Sequence, residues 1–323
     1  MHRHADLLYL GRFAQTALPK SISMWAQQII LDLAQGKHPP ELVPEHKILE
    51  ANPTIHGNFI EKVKIGQIQI HRAGIDRLIP TGLVTTTGEE LNADVIICCT
   101  GYRNYFPYLS EDSYRVDVSK PFETSEAIDL YELIHSINYK NLFFFGLIEA
   151  AGSLAPISEA QARWSIGVLT KRITLPSSEE MARAVAALHS KQGKDYIHSD
   201  RHNTTVEYLP YIDHLLAPLG ANPTFGKLLG QVFTSGHPFR AMSLLNAVYM
   251  KISVSAQYRL FGYKSCPELA VETVLRTTSE EKELRKKERS LLSSRKAEGS
   301  VEPVEINMTG SKALDPSQES TGR

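Results

Sequence analysis

Three groups of residues in this chain have types and spacings suited to chemistry. The first runs from Gly146 to Arg163: the apolar stretch Leu142 to Phe145 leads into Gly146-Leu147-Ile148-Glu149, then Gly152-Ser153, then a segment carrying Ser158, Gln161 and Arg163. A strand, a glycine-rich turn and a helix N-terminus in succession present backbone N–H groups to an anion or to the polar edge of a ring. The second group is the adjacent pair Cys98-Cys99. Neighbouring residues on a strand point to opposite faces, so the pair reads as two small buried apolar residues, and it is not a Cys-x-x-Cys. The third is His198, His202 and His214 with Asp195, Asp200 and Asp213 nearby. These lack ligand spacing on one helix face, read as surface residues, and give no expectation of a metal.

The elements that must position the first group are legible in outline. Val95 to Cys99 is a wholly apolar run ended by Thr100-Gly101-Tyr102, which predicts a strand buried on both faces, as in the parallel sheet of an α/β protein. Pro107 lacks a backbone donor, so the chain must leave the sheet there and turn. Upstream, Ile22, Trp25, Ala26, Ile29, Ile30 and Leu33 predict an amphipathic helix over 21–35 with Trp25 on its buried face. Short runs at Val63–Ile65, Ile68–His71 and Leu83–Thr87 predict a small meander feeding the buried strand. Downstream, a short helix is expected at Asp129–His135 and a strand at Leu142–Phe145. Ser158 and Gln161 have capping-box spacing, so a helix is expected over Glu159–Arg172 with Ala162, Ile166, Leu169 and Ile173 as its apolar stripe. A second box, Ser177 to Glu180, opens a helix that ends before Gly193, and further helices are expected at 204–217, 223–233 and 238–252. Thr278 and Glu281 fit a third box, opening a charged, solvated helix; beyond Ala297 the composition is that of a disordered tail.

On these residues the chain resembles the flavin-containing monooxygenases. Asp94-Val95-Ile96-Ile97 to Thr100-Gly101-Tyr102, with Phe106-Pro107-Tyr108-Leu109, is similar to the family's Ala-Thr-Gly-Tyr segment, Cys99 standing for the alanine. Gly146-Leu147-Ile148-Glu149 to Gly152-Ser153, then Gln161-Ala162-Arg163-Trp164, resembles its Gly-Leu-Ile-Gln-Pro-x-Gly-Ser and Gln-Ala-Arg-Trp block, with Glu149 in place of glutamine. Asn52-Pro53-Thr54 resembles its His-Pro-Thr, and similarity thins out towards Gln257–Gly262. The resemblance implies FAD and NADPH as cofactors, molecular oxygen and a small nitrogen- or sulfur-containing nucleophile as substrates, and cofactor contacts at Thr100, Gly101, Tyr102, Gly146, Leu147, Ile148, Glu149, Gly152, Ser153, Gln161 and Arg163. It assigns no catalytic side chain. Arg163 and Trp164 read equally as cofactor-positioning residues or as a surface arginine beside a core tryptophan. A carboxylate at Glu149 meeting the flavin ring would make its reduction electrostatically harder.

The family also carries two Gly-x-Gly-x-x-Gly fingerprints, because only glycine lets backbone approach a pyrophosphate closely. This sequence contains no Gly-x-Gly, nor the family's Phe-x-Gly-x-x-x-His. The expected fold class is therefore α/β, a partial two-dinucleotide-binding-domain flavoprotein fold with a helical C-terminal region. Residues 1–93 would be the end of the NADP-binding domain, 94–264 the C-terminal part of the FAD-binding domain, 265–297 a charged helical extension and 298–323 the tail. The parts that grip both cofactors would lie upstream of Met1. A non-catalytic remnant that needs the missing half or a partner is the alternative.

Composition bounds the rest. With Lys+Arg 35 against Asp+Glu 36 the formal net charge is -1, so no global field attracts nucleic acid. Three cysteines form no disulfide framework, which fits a reducing, intracellular compartment; the resemblance implies the cytoplasm or the cytoplasmic face of the endoplasmic reticulum. No apolar stretch reaches the ~20 residues of a transmembrane helix.

Overall fold

Between Ser153 and Glu268 the chain folds mainly as helices, and the reason is visible in their apolar spacing and their caps. A computed structural model describes residues 12, 22, 25, 28, 29, 38–46, 50–51, 58–100, 104, 106–116, 128–150, 152–196, 204–251 and 253–298. The chain divides into two units, Met1–Thr278 and Ser279–Arg323. In the second, the described residues 279–298 are helical.

In the first unit the meander exists in a different register from the one expected. Its strands are β1 (Ile75–Ile79), β2 (Gly82–Thr85) and β3 (Glu90–Asn92), antiparallel in the order β1-β2-β3. Val63 belongs instead to a short helix, α1 (Phe59–Lys64), and 68–71 forms no strand. In β2 both Val84 and Thr85 are buried, one on each face, whereas Ile75 and Leu78 of β1 are exposed.

The expected strand at Val95–Cys99 is absent. The segment is extended but unpaired, with Val95 76% and Ile97 79% exposed, and Cys98 and Cys99 are exposed too. A strand needs a neighbour to accept and donate its ladder hydrogen bonds. Among the described residues none lies alongside this run. Ile22, Trp25, Gln28 and Ile29 are helical as expected, but Trp25 is exposed rather than buried. Periodicity sets a stripe; only a second element can cover it.

Asp129–His135 is a hairpin, not a helix. β4 (Leu130–Tyr131) pairs with β5 (His135–Ser136) through a turn in which Glu132 and Leu133 both take positive φ, 56° and 55°. Left-handed backbone at two non-glycine residues is costly. Burial of Leu130, Leu133 and Ile134 offsets it. Leu142–Phe145 contributes a single bridge, Phe143 to His135, in place of a full strand. Phe144 and Tyr114 pack edge-on against Phe106, at ring separations of 5.3 and 5.1 Å.

Next come β6 (Glu149–Ala150), helix α2 (Leu154–Leu169), helix α3 (Ser178–Asp195) and β7 (Thr205–Val206), with β6 and β7 parallel. Parallel neighbours require such a crossover, and this unit makes the chain α/β. Helix α2 begins five residues earlier than expected, with Ser153 as N-cap, so Ser158 lies inside it and caps nothing. Its buried face is Ile157, Ala160, Gln161 and Trp164; Ala162, Ile166 and Leu169 face outward. The Ser177–Glu180 capping box is present in both directions, and α3 runs through Gly193 to Asp195. Helices α4 (Tyr208–Leu216), α5 (Phe225–Thr234) and α6 (Pro238–Met250) match three expected ones, the first shortened because Thr205 and Val206 serve in β7.

The principal core joins Leu133, Ile148, Ile157, Trp164, Ile212 and Leu216. A second one gathers Leu228, Leu244 and Val248 with Ala270 and Val274 of helix α7 (Pro267–Glu298). Thr278 is interior to α7, its hydroxyl donating to the Val274 carbonyl, so no helix starts there. Of the tail expected over 298–323, Glu298 ends α7 and the rest lies outside the described residues.

Candidate functional site

The segment from Gly146 to Arg163 is held by a chain of hydrogen bonds that starts at its first glycine. Gly146 takes φ 79° and its N–H donates to Gln161 Oε1 at 3.0 Å. Gln161, fully buried on α2, donates through Nε2 to the Tyr211 hydroxyl of α4 at 3.0 Å, and Tyr211 donates on to the Glu132 carbonyl at 2.7 Å. Burial raises the Tyr211 phenol well above its ordinary pKa, so it stays a protonated donor. One turn, two helices and the strained hairpin are thus joined through a single glutamine.

Leu147 packs beside Phe144, and Ile148 is buried in the principal core. Glu149, half-buried in β6, donates its N–H to the Thr204 carbonyl at 3.0 Å and accepts from the Thr205 hydroxyl at 3.1 Å. Gly152 is a glycine for a packing reason: a Cβ there would stand 2.5 Å from the Tyr208 ring. Ser153 lies in extended conformation as the N-cap of α2, yet its side chain makes no capping bond. The first-turn amides of α2 therefore face an exposed surface, with Ser153 and Leu154 both exposed and no capping side chain over them.

Arg163 is not a surface residue. It is 8% exposed; Nη1 donates to the Tyr258 carbonyl at 2.9 Å and Nη2 to the Tyr263 carbonyl at 2.8 Å. Desolvation, then repulsion from Arg259, lowers its pKa from the ordinary arginine value. It clamps residues 258–263 onto α2, and only its Nε is buried without a partner among the described residues. Trp164 is a core residue, tilted against Tyr131 at a ring separation of 6.2 Å. Thr100 is exposed, while Gly101 and Tyr102 fall outside the described residues, as do His198 and His202. His214 pairs with Glu132 at 2.9 Å.

Tyr211, Glu132 and Thr205 were invisible as site-supporting residues in the sequence. The only signal near them was the apolar stripe of α4, which speaks of packing. Arg12 was equally silent: fully buried, it pairs with Asp213 and donates to the Tyr258 hydroxyl at 3.0 Å. A cavity of about 220 Å³ lies beside α3 and α4, lined by Leu188, Gln192, Val206, Pro210 and Tyr211 among others. None of residues 146–153 lines it, so it is separate from this block.

Tested against a flavin, this arrangement fits one end of the molecule. A pinned turn followed by an uncapped helix N-terminus suits the polar edge of a ring, and Gly146, with nothing within 4 Å of where its Cβ would stand, leaves open space beside it. The donor set does not fit a pyrophosphate. The N–H groups of Gly146, Glu149 and Gly152 are already spent on Gln161, Thr204 and Ala150, and the sequence has no Gly-x-Gly.

The family described as flavin-binding monooxygenase-like matches residues 5–300. The chain is similar to flavin-containing monooxygenase 5 of Oryctolagus cuniculus, 31% identical over 207 residues that make up 63% of this chain and 36% of that protein. It is 27% identical over 263 residues to dimethylaniline monooxygenase [N-oxide-forming] 2 of Rattus norvegicus, covering 80% of this chain and 46% of that one. Human flavin-containing monooxygenase 5 matches at 30% over 207 residues, again 63% of this chain and 36% of the relative. The chain thus spans less than half the length of the curated relatives it matches. With a family match over nearly its whole length, the chain belongs to the flavin-binding monooxygenase-like family.

Proposed function

We propose that this chain supplies the ring-side wall of the flavin site in an NADPH- and oxygen-dependent monooxygenase acting on small nucleophiles of nitrogen or sulfur. One observation carries the reading: an uncapped helix N-terminus at Ser153, exposed and seven residues beyond the Gly146 turn that Gln161 pins, in a family whose members bind flavin. FAD, when bound, supplies the oxygenation chemistry. The chain's own residues do quieter work. Gly146 and Leu147 form the wall, anchored in the principal core by buried Ile148; the first turn of α2 offers its amides to the ring edge, while Gln161 fixes the Gly146 turn and Arg163 the 258–263 segment, neither touching reactants. Glu149 brings a carboxylate close to this wall, which opposes added negative charge on a neighbouring ring.

The pyrophosphate of FAD and the whole of NADPH need glycine-rich turns that this sequence lacks. Their grip belongs to a nucleotide-binding part of family type, and the extended run Val95–Cys99, apolar on both faces and without a strand partner among the described residues, is where such a part would add a neighbour. The domain division at 93, 264 and 297 follows the same logic. Losing ~4 kcal/mol of pyrophosphate interaction weakens flavin binding about a thousandfold. The purified chain is therefore expected to be colourless and not to oxidise NADPH. Co-expressed with a family-type nucleotide-binding half, it should be yellow and active. Stoichiometric flavin on residues 1–323 alone would overturn the division of labour. A second reading, a non-catalytic docking chain, is favoured by the same exposed run. It wins if the reconstituted complex holds flavin but never oxidises NADPH.

A further inference from the structure

The cavity beside α3 and α4 takes no part in the flavin wall, and its lining divides into two kinds. One kind is apolar: Leu188 of α3, Val206 of β7 and Pro210 of α4, with the ring of Tyr211. The Tyr211 hydroxyl is committed on both sides, accepting from Gln161 and donating to the Glu132 carbonyl, so its ring is what remains to meet a ligand. The other kind is acidic. Glu132, Asp195 and Glu207 line the same space, against Lys191 and His214. Glu132 lies 2.9 Å from His214, and Glu207 lies 3.9 Å from Lys191.

Three carboxylates against one lysine and one histidine leave an excess of negative charge, and low-dielectric walls focus such a field into the space they enclose. Those carboxylates come from three places: the β4–β5 turn, the C-terminal end of α3 and the residue before α4. Gln192 adds an acceptor. It is 6% exposed; its Nε2 donates to the Thr205 carbonyl at 2.9 Å, while Oε1 is buried without a partner among the described residues. A buried acceptor left unpaired is costly, and an N–H donor removes that cost. Size sets the last limit. An apolar cavity of about 150 Å³ admits a benzene ring. This one, of about 220 Å³, admits a ring with a short polar head.

We propose that this cavity binds a small organic cation made of a flat apolar body and an amidinium or guanidinium head. The body lies among Leu188, Val206, Pro210 and the Tyr211 ring, and the N–H groups of the head meet the carboxylates and Gln192. A flat cationic head with several donors suits acceptors spread over three elements better than a single ammonium does, and it stacks on a tyrosine ring. A neutral ligand leaves the excess charge unanswered, and an anion is repelled by it. The proposal stands on the cavity alone and does not depend on flavin.

The test titrates benzamidinium into the full chain by isothermal calorimetry, with benzyl alcohol and benzoate as neutral and anionic molecules of similar shape. Benzamidinium is expected to bind with a millimolar or tighter dissociation constant, benzyl alcohol at least about tenfold more weakly and benzoate undetectably. Glu207→Gln should weaken benzamidinium binding by about threefold, because it also leaves Lys191 without this carboxylate, and Lys191→Gln should strengthen it by about twofold. Both side chains are largely exposed, so melting midpoints close to the parent's are expected. Leu188→Trp, which sets a larger ring into the cavity, should abolish binding while the circular dichroism spectrum stays that of the parent. Glu89→Gln, between β2 and β3 and outside the lining, should bind as the parent does. The proposal is overturned if benzamidinium does not bind, if benzoate binds as tightly, or if the folded Leu188→Trp variant binds like the parent. It is equally overturned if Glu207→Gln and Lys191→Gln shift the affinity in the same direction.

Discussion

Ile97 and Ile157 are the same residue in two short apolar stretches, and they end in opposite environments. Ile157 is fully buried on α2, touching a core built by α4, the β4–β5 hairpin and Tyr258; Ile97 is 79% exposed on an extended run without a strand partner. Apolarity is a property of the side chain, but burial is a property of its neighbours. The α2 region brings its own neighbours from within the chain. Val95–Cys99 is written for neighbours on both sides and both faces, and the described residues supply none. The contrast separates a helical region packed by its own elements from an exposed, uncovered apolar run, and it predicts where substitutions will be felt.

The largest expected effect lies in the helical region. Trp164→Ala should cost about 3–5 kcal/mol in urea unfolding, because it empties a packed site beside Tyr131 and Ile157, whereas Ile97→Ala should stay within about 0.5 kcal/mol. Equal losses would mean that Val95–Cys99 is covered in solution and the comparison fails. Mixing with a family-type nucleotide-binding half should invert the order for association: Ile97→Lys should block it, and a polar residue tolerated there would remove the docking edge.

A next, smaller effect sharpens the contrast between closed and open positions within the helical region itself. Gly262, at φ 74°, sits where a Cβ would come within 2.4 Å of Gly220 C and the Leu219 carbonyl oxygen, backbone atoms that cannot turn aside. Gly262→Ala should cost about 3 kcal/mol, from left-handed strain plus overpacking. Gly146, at φ 79° with open space around it, should cost only the strain, about 1 kcal/mol. Thermal unfolding of the two variants side by side reads the difference. If Gly146→Ala proves the worse, the space beside that turn is filled.

These positions also show how much was legible beforehand. Interactions spanning three or four residues could be read: the Ser177–Glu180 box and the spacings of α4, α5 and α6 needed nothing distant. The family block from Gly146 to Trp164 was recognisable, and its Gln161 was singled out. What Gln161 does was not, because Tyr211 lies fifty residues along the chain and Glu132, which Tyr211 reaches in turn, lies upstream of both. Asp129–His135 has residues that suit a helix, yet Tyr211 and His214 of α4 hold it as a hairpin. Ser158 matched a cap by spacing, but the chain had already turned helical at Leu154, where Pro156 is harmless in the first turn. Local chemistry was visible. The choice of partner was not.

The capping box offers a modest test of that local legibility. Ser177 accepts from the Glu180 N–H at 3.3 Å, and Glu180 accepts from the Ser177 N–H at 2.9 Å. Ser177→Ala should cost about 1 kcal/mol, with Ser177→Asp restoring most of it. A silent Ser177→Ala would show that α3 is held by Met181 and Val185 in the core rather than by its end.

The smallest effect concerns the ion pair that ties α4 to the hairpin turn. His214 Nε2 lies 2.9 Å from Glu132 Oε1, and this hydrogen bond, aided by the charge of Glu132 and opposed by desolvation, raises the histidine pKa above its ordinary value. A group whose pKa is higher folded than unfolded binds its proton more tightly in the native state. Its contribution is complete below the unfolded value near 6.5 and fades as pH rises through the folded one. The His214 side chain is 64% exposed, so solvent screening holds the contribution to below about 1 kcal/mol. His214→Gln should therefore be less stable than the parent at pH 5 and nearly equal to it at pH 8, with added salt narrowing the gap at pH 5. Glu132→Gln should flatten the same profile while leaving the Tyr211 bond to the Glu132 carbonyl in place. A stability gap that persists unchanged at pH 8 would mean that His214 acts through packing. The hairpin would then be held to α4 by Tyr211 and by the burial of Leu133 and Ile134, as self-sufficient as the rest of that region.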